Sequence, residues 1–593
     1  MSTTTQRRTA HWKSNAPASL PGSETFAAQS SLPKLPRGMK MSIRTVVNKI
    51  DEFGSALGPE LQSRLITWLE RWWDDGAYLG YRDSVNGFDD HPSHLRQTPA
   101  ARAAALARGA MLFRKELKLG KVKPDGTKEG PFCMDTYRWM FDCCRIPGAD
   151  GLDWSKSFAV EGDVGDSGHI IVMRKNRAWK IDATANGRLL STEELESQIQ
   201  HIYDNTTHLY PGVGVLSASN RDVWAKDYAE LAASVHNSAI LDAIHSSAFI
   251  VCLEEGAPSS PEQRSRVLWH GNVSEGQAQG LQNRWVDKPC QFIIYDNMYA
   301  GFMGEHSIMD GTPTVRLCDE VIDALSSPSF DHGAPLAKGT SVTPTPLDWE
   351  VSSSTAQAII TANTAALELI NSQELSYHLT SYGKDEIKKF GVSPDSWAQM
   401  IIQLAYRRLI GNENRKGGTY EAATTRKFYK GRTEAIRVVS SESDAWVSSM
   451  DDPNANNVTK KGLFDLATKK HISLAKTCGA GQGIDRHLLG LKKVLTESEQ
   501  APTLFSDPVF MRSSYWVLST SAIFSKHFNE YGWGEVVPDG FGVAYMTGHN
   551  DRLQYTVTSR KEMPNSKFIA EIASAAQDVY NLHKSTGVGK AKL

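Results

Sequence analysis

The chain reads as an α/β protein built in two large parts, on three observations. Its 593 residues exceed what one hydrophobic core usually organises. The middle of the chain alternates strand-like and helix-like segments. A stretch from Ser326 to Pro346, rich in Ser, Pro, Gly and Thr and without hydrophobic period, separates the halves. Hydrophobic residues at 40% and charged residues at 22% are ordinary for a globular enzyme. The net charge of -2 recruits neither nucleic acid nor an anionic membrane, and no apolar run reaches the roughly 18 residues of a transmembrane segment.

Taken in order, residues 1–30 carry Arg7, Arg8 and Lys13 but no acid before Glu24, which suits either a targeting segment or a disordered tail. Leu32-Pro33-Lys34-Leu35-Pro36 blocks helix. Helical signals then run from Ile43 through Tyr81, and Ala-rich sequence from Pro99 to Leu117 predicts a second helix. Residues 169–173 and 178–182 flank Lys175-Asn176 and predict a hairpin, with further strands at 248–253 and 291–295. After the linker, Ile359, Ala362, Ala366 and Leu369 recur at helical spacing. Ser393-Pro394-Asp395 opens another helix: Ser393 caps, Pro394 suits the first turn and Asp395 complements the dipole. That helix buries Trp397, Ile401 and Leu404 and stops near Gly411.

Seven cysteines at irregular spacing, with no C-x-x-C pair, read as reduced structural thiols. No H-E-x-x-H or similar cluster is present, so no metal is expected. Gly479-Ala480-Gly481-Gln482-Gly483 lacks the strand-turn-helix frame of a dinucleotide loop. The final Ala591-Lys592-Leu593 differs from the S-K-L peroxisomal address by one small residue for another, and predicts an import-receptor partner.

The sharpest local feature is Gly304-Glu305-His306-Ser307-Ile308-Met309-Asp310-Gly311. It follows the strand at 291–295, where a sheet can deliver an imidazole into a cleft, and the Asp310-Gly311 turn is expected to fix the ring. A lone histidine is more often structural. Here it stands first in a series: Thr419-Tyr420-Glu421, Gly431-Arg432-Thr433-Glu434, Asp485-Arg486-His487-Leu488, Leu518-Ser519-Thr520-Ser521 and Val537-Pro538-Asp539-Gly540. In order and spacing these blocks resemble the carnitine/choline acyltransferase family, over residues from about Thr25 to the end. The context of His306 is most similar to the fungal carnitine-acetylating members.

The resemblance implies two related coenzyme-A-dependent acyltransferase-like domains, each a mixed sheet with packed helices, with an active-site tunnel at their interface. Residues 61–345 would form the domain carrying the catalytic histidine. Residues 31–60 plus 346–593 would form the one carrying the coenzyme A and carnitine-carboxylate sites. It also implies reversible transfer of a short acyl group between coenzyme A and carnitine, with coenzyme A as co-substrate, no tightly bound cofactor and no acyl-enzyme. His306 would be the general base and Ser521 the oxyanion donor. Arg486, Tyr420, Thr433 and Ser519 would meet the carnitine carboxylate. Trp73 and Tyr78 would line the carnitine pocket, with Trp533 near the trimethylammonium. Lys384 and Lys388 would contact coenzyme A phosphates and Asp395 its adenine-pantetheine end. Arg432 would pair with Asp310 to hold the catalytic turn. Tyr531, ten residues beyond Ser521, occupies a position that is bulky in short-chain members and would close the acyl channel.

Two segments are shorter than the family's, after Leu35-Pro36 and after Tyr81-Arg82-Asp83-Ser84. Choline acetyl transfer, or an inactive acyl-CoA-binding scaffold, are the competing readings; Arg486 speaks against the first and the retained His306 and Ser521 against the second. The terminal tripeptide places the protein in peroxisomes, with mitochondria as a second location.

Overall fold

One arrangement of strands, used twice, organises the protein. The computed structural model describes residues 73–83, 86–91, 98–334, 343–411, 414, 417–496 and 498–586, all within one compact unit, Glu60–Leu593. The expected targeting segment, residues 31–60, the shortened segment after Pro36 and the terminal tripeptide lie outside the described residues. Of the helix expected from Ile43, the described part is one wide helical turn, Asp74–Leu79.

Fourteen strands matter here: β1 (Asn86–His91), β2 (His169–Arg174), β3 (Arg177–Asp182), β4 (Ile250–Glu254), β5 (Cys290–Tyr295), β6 (Ala300–Glu305), β7 (Thr345–Leu347), β8 (Gln373–Leu379), β9 (Gly418–Thr424), β10 (Thr433–Arg437), β11 (Trp516–Ala522), β12 (Tyr531–Gly532), β13 (Phe541–Met546) and β14 (Gln554–Arg560). They form an eight-stranded sheet, β7-β3-β2-β4-β5-β6-β1-β12, and a six-stranded sheet, β8-β14-β13-β11-β9-β10. In the first, β3–β2 is antiparallel, β2–β4 and β4–β5 are parallel, and β5–β6 is antiparallel. In the second, β10–β9, β9–β11, β11–β13 and β13–β14 repeat that succession. Each sheet is thus a hairpin, two crossovers and a second hairpin, in one spatial order. The fold is α/β with two related mixed sheets.

The central parallel strands need both faces covered. Along β4, Val251 and Leu253 join one core while Ile250 and Cys252 join the other, the alternation a pleated strand dictates. The first core is closed by α1 (Pro99–Lys118) and α2 (Gly311–Ser326), the second by α3 (Ser353–Ser372). On the six-stranded sheet, α4 (Pro394–Ile410), α5 (Asn457–Gly479) and the C-terminal α7 (Asn565–Ser585) supply the cover, while α6 (Asp485–Lys493) stands beside β10.

The β2–β3 hairpin turns at Lys175 and Asn176, with φ of 47° and 68°, the left-handed pair that a two-residue hairpin requires. Ser393 accepts a hydrogen bond from the Ser396 amide and caps α4. The Ser-, Pro-, Gly- and Thr-rich stretch lies between the end of α2 at Ser326 and the start of β7 at Thr345. Three expectations shift. On α3 the core-facing residue of the last turn is Ile370, at 4% exposure, rather than Leu369, at 45%. A strand, β6, intervenes between the strand at 290–295 and His306. Two short strands also cross the expected domain boundary, since β7 and β12 both pair within the first sheet.

Candidate active site

His306 is the first residue after β6, on the loop that enters α2. Its Nδ1 lies 2.8 Å from the Met309 carbonyl oxygen. A carbonyl can only accept, so Nδ1 carries a proton and, in the neutral ring, Nε2 is the acceptor. The ring is therefore oriented by Met309, not by the acid four residues on: Asp310 Oδ1 is 3.9 Å from Nδ1, beyond hydrogen-bond length. Nor does Asp310-Gly311 form the turn expected of it. Gly311 is the first residue of α2, and Asp310 sits at the N-cap without making a capping bond.

Asp310 instead faces Arg432. The guanidinium donates to both carboxylate oxygens, at 3.0 and 3.1 Å, and to the backbone carbonyls of Ser307 at 2.9 Å and His306 at 3.2 Å; it also pairs with Asp74. Burial alone would weaken Arg432's hold on its proton, but Asp310 and Asp74 outweigh it and raise the pKa. Burial likewise pushes Asp310 up, and Arg432 overcomes this to hold it below the usual carboxylate value. Arg432 follows Gly431, where a Cβ would stand 1.9 Å from the Thr425 carbonyl oxygen, so this turn admits only glycine.

From His306 a continuous wall of side chains leads to the second sheet. Tyr78 stacks on the imidazole, with ring centroids 5.0 Å apart. Trp73 meets Tyr78 edge-on at 5.9 Å. The Arg486 guanidinium lies over Trp73 at 3.5 Å. Arg486 Nε donates to the Thr433 carbonyl at 2.9 Å and Nη2 to Thr433 Oγ1 at 3.3 Å, and the Tyr420 hydroxyl donates to the same Oγ1 at 3.4 Å. Burial raises the phenols of both Tyr78 and Tyr420, so each stays a neutral donor. Glu434 explains why these motifs meet: its carboxylate accepts from the Arg486 amide in the first turn of α6.

On the inner strand β11, Ser519 stands opposite Tyr420, and Ser521, two residues on, shares its face. These serines are therefore not on an edge strand. The opposite face carries Thr520, whose hydroxyl donates to the Tyr420 carbonyl at 2.8 Å. Tyr531 is buried in β12 and meets Trp533 at 5.4 Å between centroids. Its strand is joined through β1 to β6, the strand that carries His306.

Lys384 and Lys388 lie on a separate helix, Lys384–Lys389, outside this wall; Lys384 Nζ donates to the Gly548 carbonyl at 2.8 Å, and Lys388 is exposed. Asp395 accepts from the Tyr545 hydroxyl at 2.8 Å. It belongs to a group that the sequence reading missed. Glu421 and His471, 50 residues apart, meet Asp395 with all their ligand atoms within 4.8 Å. No spacing rule reveals such a set. His471 Nε2 lies 2.6 Å from Glu421 Oε2, and Nδ1 lies 2.9 Å from Ser396 Oγ. Burial, then the negative charge of Asp395, push the Glu421 carboxyl up to about 7, against the pull of His471. The groups that could hold a cation here thus bond to one another.

The chain belongs to the choline/carnitine O-acyltransferase family, whose model matches residues 34–574. Within that family it is similar to the mitochondrial carnitine O-acetyltransferase of Saccharomyces cerevisiae, at 31% identity over 96% of this chain and 90% of the yeast protein. It is 31% identical to the carnitine O-acetyltransferase of Columba livia, over 81% and 77% of the two chains. The peroxisomal carnitine O-octanoyltransferase of Bos taurus is 30% identical over 94% and 97%. These relatives differ in acyl group and in compartment. No helix among the described residues is long and apolar enough to cross a membrane.

Proposed function

We propose that this protein transfers an acetyl or similarly short acyl group reversibly between coenzyme A and the hydroxyl of carnitine, with His306 as general base. The observation that carries the reading is the imidazole itself. Nδ1–H is held by the Met309 carbonyl, Nε2 is left as acceptor, and the ring heads a wall that ends on the Arg486 guanidinium. Nε2 takes the carnitine hydroxyl proton as the oxygen attacks the thioester carbonyl. Ser521 Oγ–H donates to the resulting oxyanion. Collapse breaks the carbon–sulfur bond, and the leaving thiolate takes the proton back from Nε2. No acyl-enzyme forms.

Arg486, with Tyr420, Thr433 and Ser519 nearby, supports recognition of the carnitine carboxylate, since a guanidinium pairs with it at little geometric cost. Trp73, Tyr78 and Trp533 supply aromatic surface, the last for the trimethylammonium. Lys384 and Lys388 suit coenzyme A phosphates, and Asp395 the adenine-pantetheine end. Tyr531 fills the acyl channel. We further propose peroxisomal import through Ala591-Lys592-Leu593; a tagged protein lacking Leu593 should redistribute, and unchanged import rejects that address.

The test of activity is thiol release from acetyl-CoA by the wild-type protein, with L-carnitine, choline or no acceptor. Release that depends on L-carnitine and not choline is expected. A folded protein that binds both substrates yet releases no thiol refutes the reading.

A further inference from the structure

A second guanidinium, besides that of Arg432, bonds to the residues that flank His306. Arg145 belongs to the short strand Cys143–Ile146 and is 1% exposed. All five of its N–H groups are used. Nε donates to Asp153 Oδ2 at 2.7 Å; Nη1 donates to Glu305 Oε1 at 3.2 Å and to Ser307 Oγ at 2.9 Å; Nη2 donates to the carbonyls of Tyr78 and Tyr81, both at 3.1 Å. Glu305 and Ser307 are the two neighbours of His306, and they also bond to each other, the Ser307 amide donating to Glu305 Oε2 at 3.1 Å. Tyr78 is the residue whose ring lies on the imidazole. One buried side chain therefore bonds to the side chains on both sides of the histidine and to the backbone of the segment that covers it.

Its own position is fixed from behind. Asp153, fully buried, also accepts from Arg221 at 2.7 Å, from Arg82 at 3.0 Å and from the Gly148 amide at 2.9 Å. Arg221 in turn pairs with Asp287 at 2.7 Å. Paired charges of this kind tolerate no slack, because any displacement leaves a buried charge without its partner.

We propose that Arg145 is a positioning residue for acyl transfer, setting at once the loop that aims His306 and the Tyr78 segment that closes the acceptor side of the site. The inference rests on the reading of His306 as base and of Tyr78 as part of the carnitine pocket. A lysine keeps the charge but offers three donors from a single atom, so it cannot serve Asp153, the Glu305–Ser307 pair and two carbonyls together.

The experiment uses full-length Arg145→Lys, checked by its thermal transition, with kinetics measured in both substrates. Misplacing a base and its acceptor lowers kcat by about tenfold to a hundredfold and raises the carnitine KM, while the coenzyme A KM stays within about twofold. A purely structural residue would reduce the active fraction, lowering kcat with both KM values unchanged. That outcome, or wild-type kinetics, overturns the proposal. Should Arg145→Lys not fold, Ser307→Ala decides: it removes one link of the same clamp and is expected to show the same split at smaller size, and unchanged kinetics overturn the proposal. His306→Ala separates the two claims. If it keeps full turnover, the functional reading fails; if it is inactive while Arg145→Lys behaves as wild type, only the role of Arg145 fails.

Discussion

Replacing Arg486 by glutamine should abolish most of the discrimination for carnitine while leaving coenzyme A handling intact. The guanidinium is held on three sides, by the Thr433 carbonyl at 2.9 Å, by Thr433 Oγ1 at 3.3 Å and by the Trp73 ring face at 3.5 Å. Its orientation is thus set before any ligand arrives, and a bound carboxylate gains the full value of a charge-assisted bond. Such bonds contribute about 1.5–3 kcal/mol, which corresponds to a roughly 10- to 150-fold fall in kcat/KM for carnitine. Choline lacks the carboxylate, so the preference for carnitine over choline should fall by the same factor. The assay is initial-rate thiol release with carnitine or choline varied at saturating acetyl-CoA, together with the thermal transition of the variant. A folded variant whose kcat/KM for carnitine changes by less than about threefold would refute the assignment of Arg486 to the substrate carboxylate.

Three further outcomes are expected. Tyr531→Gly should open the channel and raise turnover of medium-chain acyl-CoA relative to acetyl-CoA; no gain with octanoyl-CoA sinks the gatekeeper role. Arg432→Ala leaves Asp310 and Asp74 without their shared cation and should destabilise the protein by about 3–5 kcal/mol, measured by denaturant unfolding; a loss below about 1 kcal/mol contradicts the central role given to that ion pair. Glu421, raised by burial and Asp395 from 4.5 to about 7, keeps its proton in the folded state while the unfolded chain has released it. Its stabilising contribution is complete below about pH 4.5 and is lost as pH rises through 7, and His471, also raised, acts in the same direction. The melting temperature of Glu421→Gln should therefore depend less steeply on pH between 5 and 8 than that of wild type, and equal slopes rule this out.

Much of the architecture was legible because local chemistry and global fold agree. Ser393-Pro394-Asp395 carries a cap, a first-turn proline and a dipole-matching acid in successive positions, and α4 starts there. Lys175-Asn176 marks the hairpin because it separates two apolar-rich runs, which pair antiparallel across it. β6 was not legible: Gly301 and Gly304 weaken strand propensity, and the strand forms because β5 and β1 hold it on both sides. The Leu369–Ile370 exchange turns on a single residue's rotation at the end of α3, which spacing alone does not resolve.

For the site, residues expected from the sequence, Trp73, Tyr78, His306, Asp310, Tyr420, Arg432, Thr433 and Arg486, are brought by the fold into one connected set. What stayed hidden is what backbone and distant pairing decide. The Met309 carbonyl that sets the imidazole tautomer has no side-chain signature. The Glu421–His471 contact joins residues 50 apart on different elements. Arg145 looks like any arginine in a strand until its five donors are followed to their acceptors.

The central claim is that His306 Nε2 accepts the substrate proton, and it is tested most directly by L-carnitine-dependent thiol release in His306→Ala against wild type. With folding and both substrate affinities retained, the loss of a general base should lower kcat by about 10²–10⁴-fold. A variant that retains kcat within about threefold of wild type would contradict it.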